Sequence, residues 1–483
     1  MKSQKKYYAG TLIAALSVGA YAATFTSPVT VDGTQRTFDD GDYINISGNA
    51  ALSVINGGEV VVGGAMTIRN YSGNFGVYYG SSNSVSDFGS GTKISSSGSH
   101  GMIITGATNS TINANNITFS TSSNGGDSIG ALAANGNVTV NLGNDSTISA
   151  SRQASGLYFN ASGVVNAISG LSVTSVGGNA IHSAGGGTLN LGTNGYVEGG
   201  ALGLYAVNGI TVNMDNFTVK GRTGAISSVG AQLNITNSVI ESASGYGISS
   251  GFSANGTMTF NNSKIISNTN AITIGNIASA VDGVLNTMNF TNGTTVTSNN
   301  GILLNTNGAD RAALVLNFAD AGTVANGRIM DSAGAIVSAS FANGAVWNVT
   351  GQSTFDNLAL DGGTINFTFG SAVDNIVTGA FTATDGTVNI TLTDAFAEAI
   401  FFNGSGEFIF DLESTIANSS ALAGELTVNV LTSSASGNSS WNVEDLGGNT
   451  YRLYDLQVIP ESGTYAAIFG ALALAVAAYR RRK

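Results

Sequence analysis

Charged residues make up only 10% of the 483 residues, so the side chains able to do chemistry can be weighed one by one. There are two histidines, His100 and His182, and no cysteine. Two distant histidines without thiols make a thin metal site, and coil-surface or turn positions account for them better. The lack of Cys also removes disulfides and thiol catalysis. Asp39, Asp40 and Asp42 are close enough in sequence to suggest Ca²⁺. The ligand order of a calcium loop and its closing Glu are absent, so a solvated acidic turn is expected. Glycosidic hydrolysis needs two positioned carboxylates, and Arg152, Lys220 and Arg222 have only isolated acids near them in sequence. Gly185–Gly187 neither opens a helix nor ends in Gly-Lys-Ser/Thr, so it does not read as a phosphate loop. These residues assign no catalytic group, metal or cofactor.

The elements that would position them come from a repeat. Between Gly76 and Leu304 one phrase recurs: Gly or Asn, a small residue, an apolar residue, then a small or apolar residue. It reads GVYYG from Gly76, GMIITG from Gly101, GLYFNA from Gly156, LGLYAV from Leu202, GAISSV from Gly224 and GISSG from Gly247. A recurrence about every 22 to 30 residues implies a solenoid or array. About ten residues after each phrase comes an alternating segment such as Thr188–Leu191 or Thr257–Phe260, and many repeats add a third, such as Ser263–Ser267. Alternation of period two means strands with one inward and one outward side-chain set. Three short strands per repeat suit a coil of a right-handed parallel β-helix, with Ile226, Ile248 and Ile272 in equivalent inward places. About ten coils at ~4.8 Å each give a rod of roughly 48 Å. Asn190, Asn213, Asn234, Asn261 and Asn262 are expected beside the turns as stacked Asn ladders, because Asn tolerates left-handed geometry and bonds neighbouring backbone at coil corners.

Net charge is −12, and the chain ends mask a larger value. Lys2, Lys5, Lys6, Arg480, Arg481, Arg482 and Lys483 supply seven of the 17 cations, leaving a body of 10 cations against 28 acids, net −18. Such a surface repels phosphate backbones, so nucleic acid is not expected as a partner.

Residues 1–22 read as a secretory signal peptide, with a Lys-rich start, an apolar stretch, and Ala20 and Ala22 at the cleavage site. The secretion translocon is thus an expected partner. Residues 23–70 are expected to cap the first coil, 71–369 to form the parallel β-helix repeats and 370–457 a β-rich C-terminal cap, with Trp441, Tyr451 and Tyr454 in its core. The stretch Ala345–Phe367 resembles the last coils of autotransporter passenger domains. That resemblance implies a β-helix to about Phe369, although no series of membrane strands follows it. The same fold hosts pectin hydrolases and polysaccharide lyases. Of the hydrolase motifs, Ser99-His100-Gly101 gives only a weak echo.

The tail, 458–483, joins Pro460-Glu461 to an apolar stretch and a basic end at Arg480, Arg481, Arg482 and Lys483. Tyr465–Tyr479 would make a short C-terminal transmembrane helix of about 22 Å, with the cations as a stop-transfer end kept in the cytoplasm. Pro460, Glu461, Thr464 and Tyr465 make the tail similar to the PEP-CTERM sorting signal of Gram-negative bacteria, while Ser462 and Gly463 depart from it. The resemblance implies an exosortase-like processing enzyme as partner, a membrane-anchored precursor, and final sorting to the cell surface or extracellular matrix. The expected function is a structural or adhesive surface protein in contact with exopolysaccharide or other surface proteins. The alternative is a polysaccharide-active lyase or hydrolase on the same fold.

Overall fold

The computed structural model describes residues 22–160, 162–275, 283–307, 313–331, 334–369, 375–393, 407–419, 425–432, 441–447 and 450–455. Within them the chain winds into a parallel β-solenoid of about 14 turns, a rod of about 67 Å at ~4.8 Å per turn. Each turn lays down three short strands, and each strand pairs in parallel with its counterpart one turn on. The result is three stacked faces, numbered in chain order. Face one carries the recurring phrase, as in Leu202–Val207, Gly224–Val229 and Tyr246–Gly251. Face two carries Thr211–Asp215, Gln232–Thr236 and Gly256–Asn261. Face three carries Thr218–Gly221, Val239–Ser242 and Lys264–Ser267, in a stack of 17 strands. The longer strands His100–Ala114 and Gly130–Asn144 run from face one into face two, with register shifts between Thr105 and Ser110.

Alternation dictates what lies inside. Ile226 pairs with Ile248 and Ile248 with Ile272, the register expected from the phrase, and all three are fully buried. Leu204 precedes them and Leu304 follows in the same column. Burying each such side chain contributes about 1.5–3 kcal/mol. The small residue heading each phrase has a steric cause. A Cβ on Gly203 would come within 2.7 Å of the Lys220 carbonyl oxygen, and one on Gly247 within 2.7 Å of that of Ala271. A neighbouring carbonyl occupies the space there.

Inside face two, Phe260, Phe290, Phe318 and Phe341 stack with ring centroids 5.4, 4.6 and 4.8 Å apart. Trp347 extends the pile at 5.3 Å, and its indole N–H donates to the Gly327 carbonyl at 2.8 Å. A buried indole needs such an acceptor.

Asparagine serves two structural purposes that local sequence does not separate. At the corner between faces two and three the chain takes positive φ at Asn194, Asn216, Asn237 and Asn262 (57°, 54°, 51° and 47°). Asn262 therefore stands at a corner, as expected. Asn190, Asn213 and Asn234, expected at turns as well, instead point outward from mid-strand on face two. There the amides of Asn113, Asn141, Asn166, Asn190, Asn213 and Asn234 form a ladder, each donating to the one before at 2.7–3.0 Å. A carboxamide is both donor and acceptor, so identical residues one turn apart satisfy one another.

The parallel ladder crosses both boundaries expected from the sequence. Val29–Asp32 already pairs with Ala50–Ile55, and Tyr43–Ile46 with Thr67–Asn70. Beyond Phe369, Ile376–Thr384 stacks on Ser353–Asp361, Gly386–Leu392 on Thr364–Phe369, and Leu426–Thr432 on Gly386–Leu392. Among the described strands, antiparallel pairing enters with Glu407–Asp411, Trp441–Gly447 and Thr450–Asp455. The side chains of Trp441, Tyr451 and Tyr454 are outside the described set. At the first turn, Thr24–Phe25 stacks on Tyr43–Ile46, and the Arg36 guanidinium lies over the rings of Phe25 and Phe38 at 5.2 and 5.0 Å.

Among the described residues the one helical segment is the single turn Leu412–Thr415, and no helix is long and apolar enough to cross a membrane. Ala20 and the tail from Pro460 to Lys483 lie outside the described residues.

Candidate functional site

Two concave surfaces lie on different faces of the same turns. The larger is a groove of about 810 Å³ on face one. Its floor follows from the outward positions of successive phrases. Tyr205, Ser227, Ser249 and Thr273 form one outward row, and Val207, Val229 and Gly251 form the next. Small residues at Ser227, Ser249 and Gly251 leave space between the rings of Tyr205 and Tyr246. The Tyr246 ring lies where a Cβ on Gly224 would be, 2.2 Å from that position, so glycine at 224 is what lets the ring lie flat. Burial raises the Tyr246 phenol above its ordinary pKa, and hydrogen bonds with Ser227 and Ser249 oppose that shift. Asn307 donates from Nδ2 to Thr273 Oγ1 at 2.6 Å and, with Asn270, supplies amides to the rim. Among the described residues the lining contains no Asp, Glu, Lys, Arg or His.

An aromatic row leads into this groove. Tyr158, His182 and Tyr205 occupy the same outward place in successive turns. Their rings meet edge to face at 5.4 and 4.9 Å. Burial lowers the pKa of His182, against a smaller opposing pull from Asp127. The neutral imidazole therefore dominates at pH 7.

The second surface is a cleft of about 570 Å³ on face three. Glu198, Lys220 and Glu241 stand in register on three successive turns. Lys220 Nζ is 3.2 Å from Glu241 Oε2, and both side chains are about 40% exposed (39% and 41%). Tyr196 donates to Glu198 Oε2 at 2.6 Å. Its phenol is pushed up to about 12, first by burial and then by the hydrogen bond and charge of Glu198. Arg222 lines the same cleft, whereas Arg152 is not part of it; the Arg152 carbonyl accepts from the Gly177 N–H at a corner.

The other sequence candidates have structural duties. His100 is buried at the head of a face-one strand and stacks on Phe75 at 5.8 Å. Its Nδ1 accepts the Gly130 N–H at 3.1 Å, and burial lowers its pKa to about 4. Asp42 is buried and accepts from the N–H groups of Ala23 and Asp39 at 2.7 and 3.0 Å. Asp40 accepts from the Ala65 N–H at 2.7 Å. Two of the three acids expected in a solvated turn therefore tie backbone, and Asp42 is out of solvent. Among the described residues no three His, Cys, Asp or Glu are grouped to hold a metal ion.

Sequence reasoning missed Tyr205, Tyr246, Glu198 and Glu241. The signal was the coil length itself, because Glu198, Lys220 and Glu241 recur 22 and 21 residues apart and so fall in register. No protein-family model matches the chain, and no curated protein matches it.

Proposed function

We propose that the protein is an exported structural or adhesive rod of a bacterial envelope or extracellular matrix. In this reading the chain is cleaved after Ala22 and held in the inner membrane by its tail. It is then processed near Pro460-Glu461 by an exosortase-like enzyme and delivered to the surface. The observation that carries the proposal is the continuous parallel stack, each turn of which leaves an outward row on every face and so offers a long regular contact surface. The face-one groove is lined in part by hydroxyls, amides and tyrosines, groups suited to holding a ligand. Intact-mass analysis of protein extracted from the cell surface tests the processing. A mature form beginning near Ala23 and ending near Pro460 is expected. A form ending at Lys483 would leave a simple anchored rod and remove the sorting step.

One observation favours a second reading, a polysaccharide lyase or hydrolase. Glu198 and Glu241 stand two turns apart, about 9.6 Å along the axis at ~4.8 Å per turn, with Lys220 between them. Incubating the full chain with neutral and acidic glycans, then assaying reducing ends and unsaturated sugars, decides between them. Turnover that disappears in Glu198→Gln or Glu241→Gln would establish the enzyme.

A further inference from the structure

We infer that the face-one groove is a binding site for a neutral glycan chain lying along the solenoid axis. The inference deepens the adhesive reading by naming the surface and the ligand class. Three observations converge on it.

The first is charge. The body carries 28 acids against 10 cations, yet among the described residues none of these groups lines the groove. An anionic glycan would approach a net −18 body and find no cation to pair with there. A cationic ligand would find no carboxylate. An uncharged, hydroxyl-rich ligand meets neither penalty.

The second is the pairing of chemical types. Tyr205 and Tyr246 offer flat faces to the C–H side of a sugar ring, while Ser227, Ser249, Asn270 and Asn307 offer hydrogen-bond partners to its hydroxyls. A site of apolar ring faces with a few placed polar groups is the usual make-up of a small-ligand pocket.

The third is periodicity. Turns recur about every 4.8 Å, close to the repeat of an extended pyranose chain. Tyr158 and His182 continue the aromatic row from Tyr205 on two adjacent turns. A chain seated at Tyr246 would thus pass over Ser227 to Tyr205 and on towards His182 with about one sugar per turn.

The test uses the full chain and neutral β-linked hexasaccharides, with hexagalacturonate as the acidic probe, in titration calorimetry. At least one neutral hexasaccharide is expected to bind in preference to the uronate. Tyr205→Ala should weaken that binding at least tenfold, whereas Tyr205→Trp should retain it because a stacking face remains. Thermal melting of each variant shows whether the stack is intact, and Tyr246→Ala, in the same groove, supplies an independent loss of several-fold. Absence of neutral-glycan binding, preference for the uronate, or unchanged binding in Tyr205→Ala and Tyr246→Ala would each overturn the inference. None of those outcomes touches the processing of the chain ends, which the mass measurement reads separately.

Discussion

Faces one and three present opposite surfaces from the same turns. Around residues 198 to 250, face one shows a groove between two tyrosines with no charged group among its described residues, and face three shows the Glu198–Lys220–Glu241 ladder. The backbone beneath them has the same parallel pairing, and the inward residues of both are buried aliphatics such as Ile226 and Ile240. The difference lies only in which residue type recurs at the outward position. A solenoid therefore separates stability from surface chemistry by alternation: inner rows hold the turns together, and each outer row can be written independently.

Striking the interior shared by both faces should have the largest effect. Ile248→Asp places an unpaired charge behind the groove, in a column with no exposed member between Leu204 and Ile272. The cost is several kcal/mol. In chemical denaturation the face-one tyrosine signals and the face-three ion pair should disappear in one transition. An Ile248→Asp variant as stable as the parent would mean that the register is wrong.

A smaller effect separates a buried titrating group from the exposed ladder. His100 has a folded pKa of about 4 against an ordinary 6.5. Its neutral form is favoured by folding, so that contribution is complete above pH 6.5 and is lost as pH falls towards 4. The difference is worth about 3 kcal/mol. Urea midpoints measured between pH 7 and 4 should fall, and His100→Gln should flatten part of that slope. An equal slope in both proteins would assign the acid sensitivity to carboxylates alone.

The smallest effect belongs to face three. Lys220→Met removes an ion pair between half-exposed side chains, for which about 0–1 kcal/mol is the usual range. Its stability change should shrink further in 0.5 M salt, while hexasaccharide binding on face one stays unchanged. A loss above 2 kcal/mol, or a change in glycan binding, would show that the faces are not independent.

How much of this could be read from the sequence depends on whether one turn suffices to see it. The inward isoleucines were legible because alternation and the repeat phrase each act within a single turn. The Asn190–Asn213–Asn234 ladder was misplaced because Asn favours corners on local grounds, and only the register shows it standing mid-strand. Neither Tyr246 nor Glu241 stands out within its own turn. They acquire meaning from neighbours about 22 residues away, which the fold sets beside them. The boundary expected at Phe369 was drawn from the resemblance of Ala345–Phe367 to the last coils of a passenger domain. Yet Thr387–Leu392 keeps the alternation, and alternation is what lets a strand join the stack.

The parallel stacking also has a mechanical consequence. Equivalent residues such as Ile226 and Ile248 are 22 positions apart, so one turn stores about 75 Å of extended chain within a rise of about 4.8 Å. A pull on either end loads the outermost turn first, and its rungs open before those beneath carry the strain. Stretched between two anchored points, the rod should give way in a sawtooth of near-equal extensions, dissipating work turn by turn while the remaining stack stays folded.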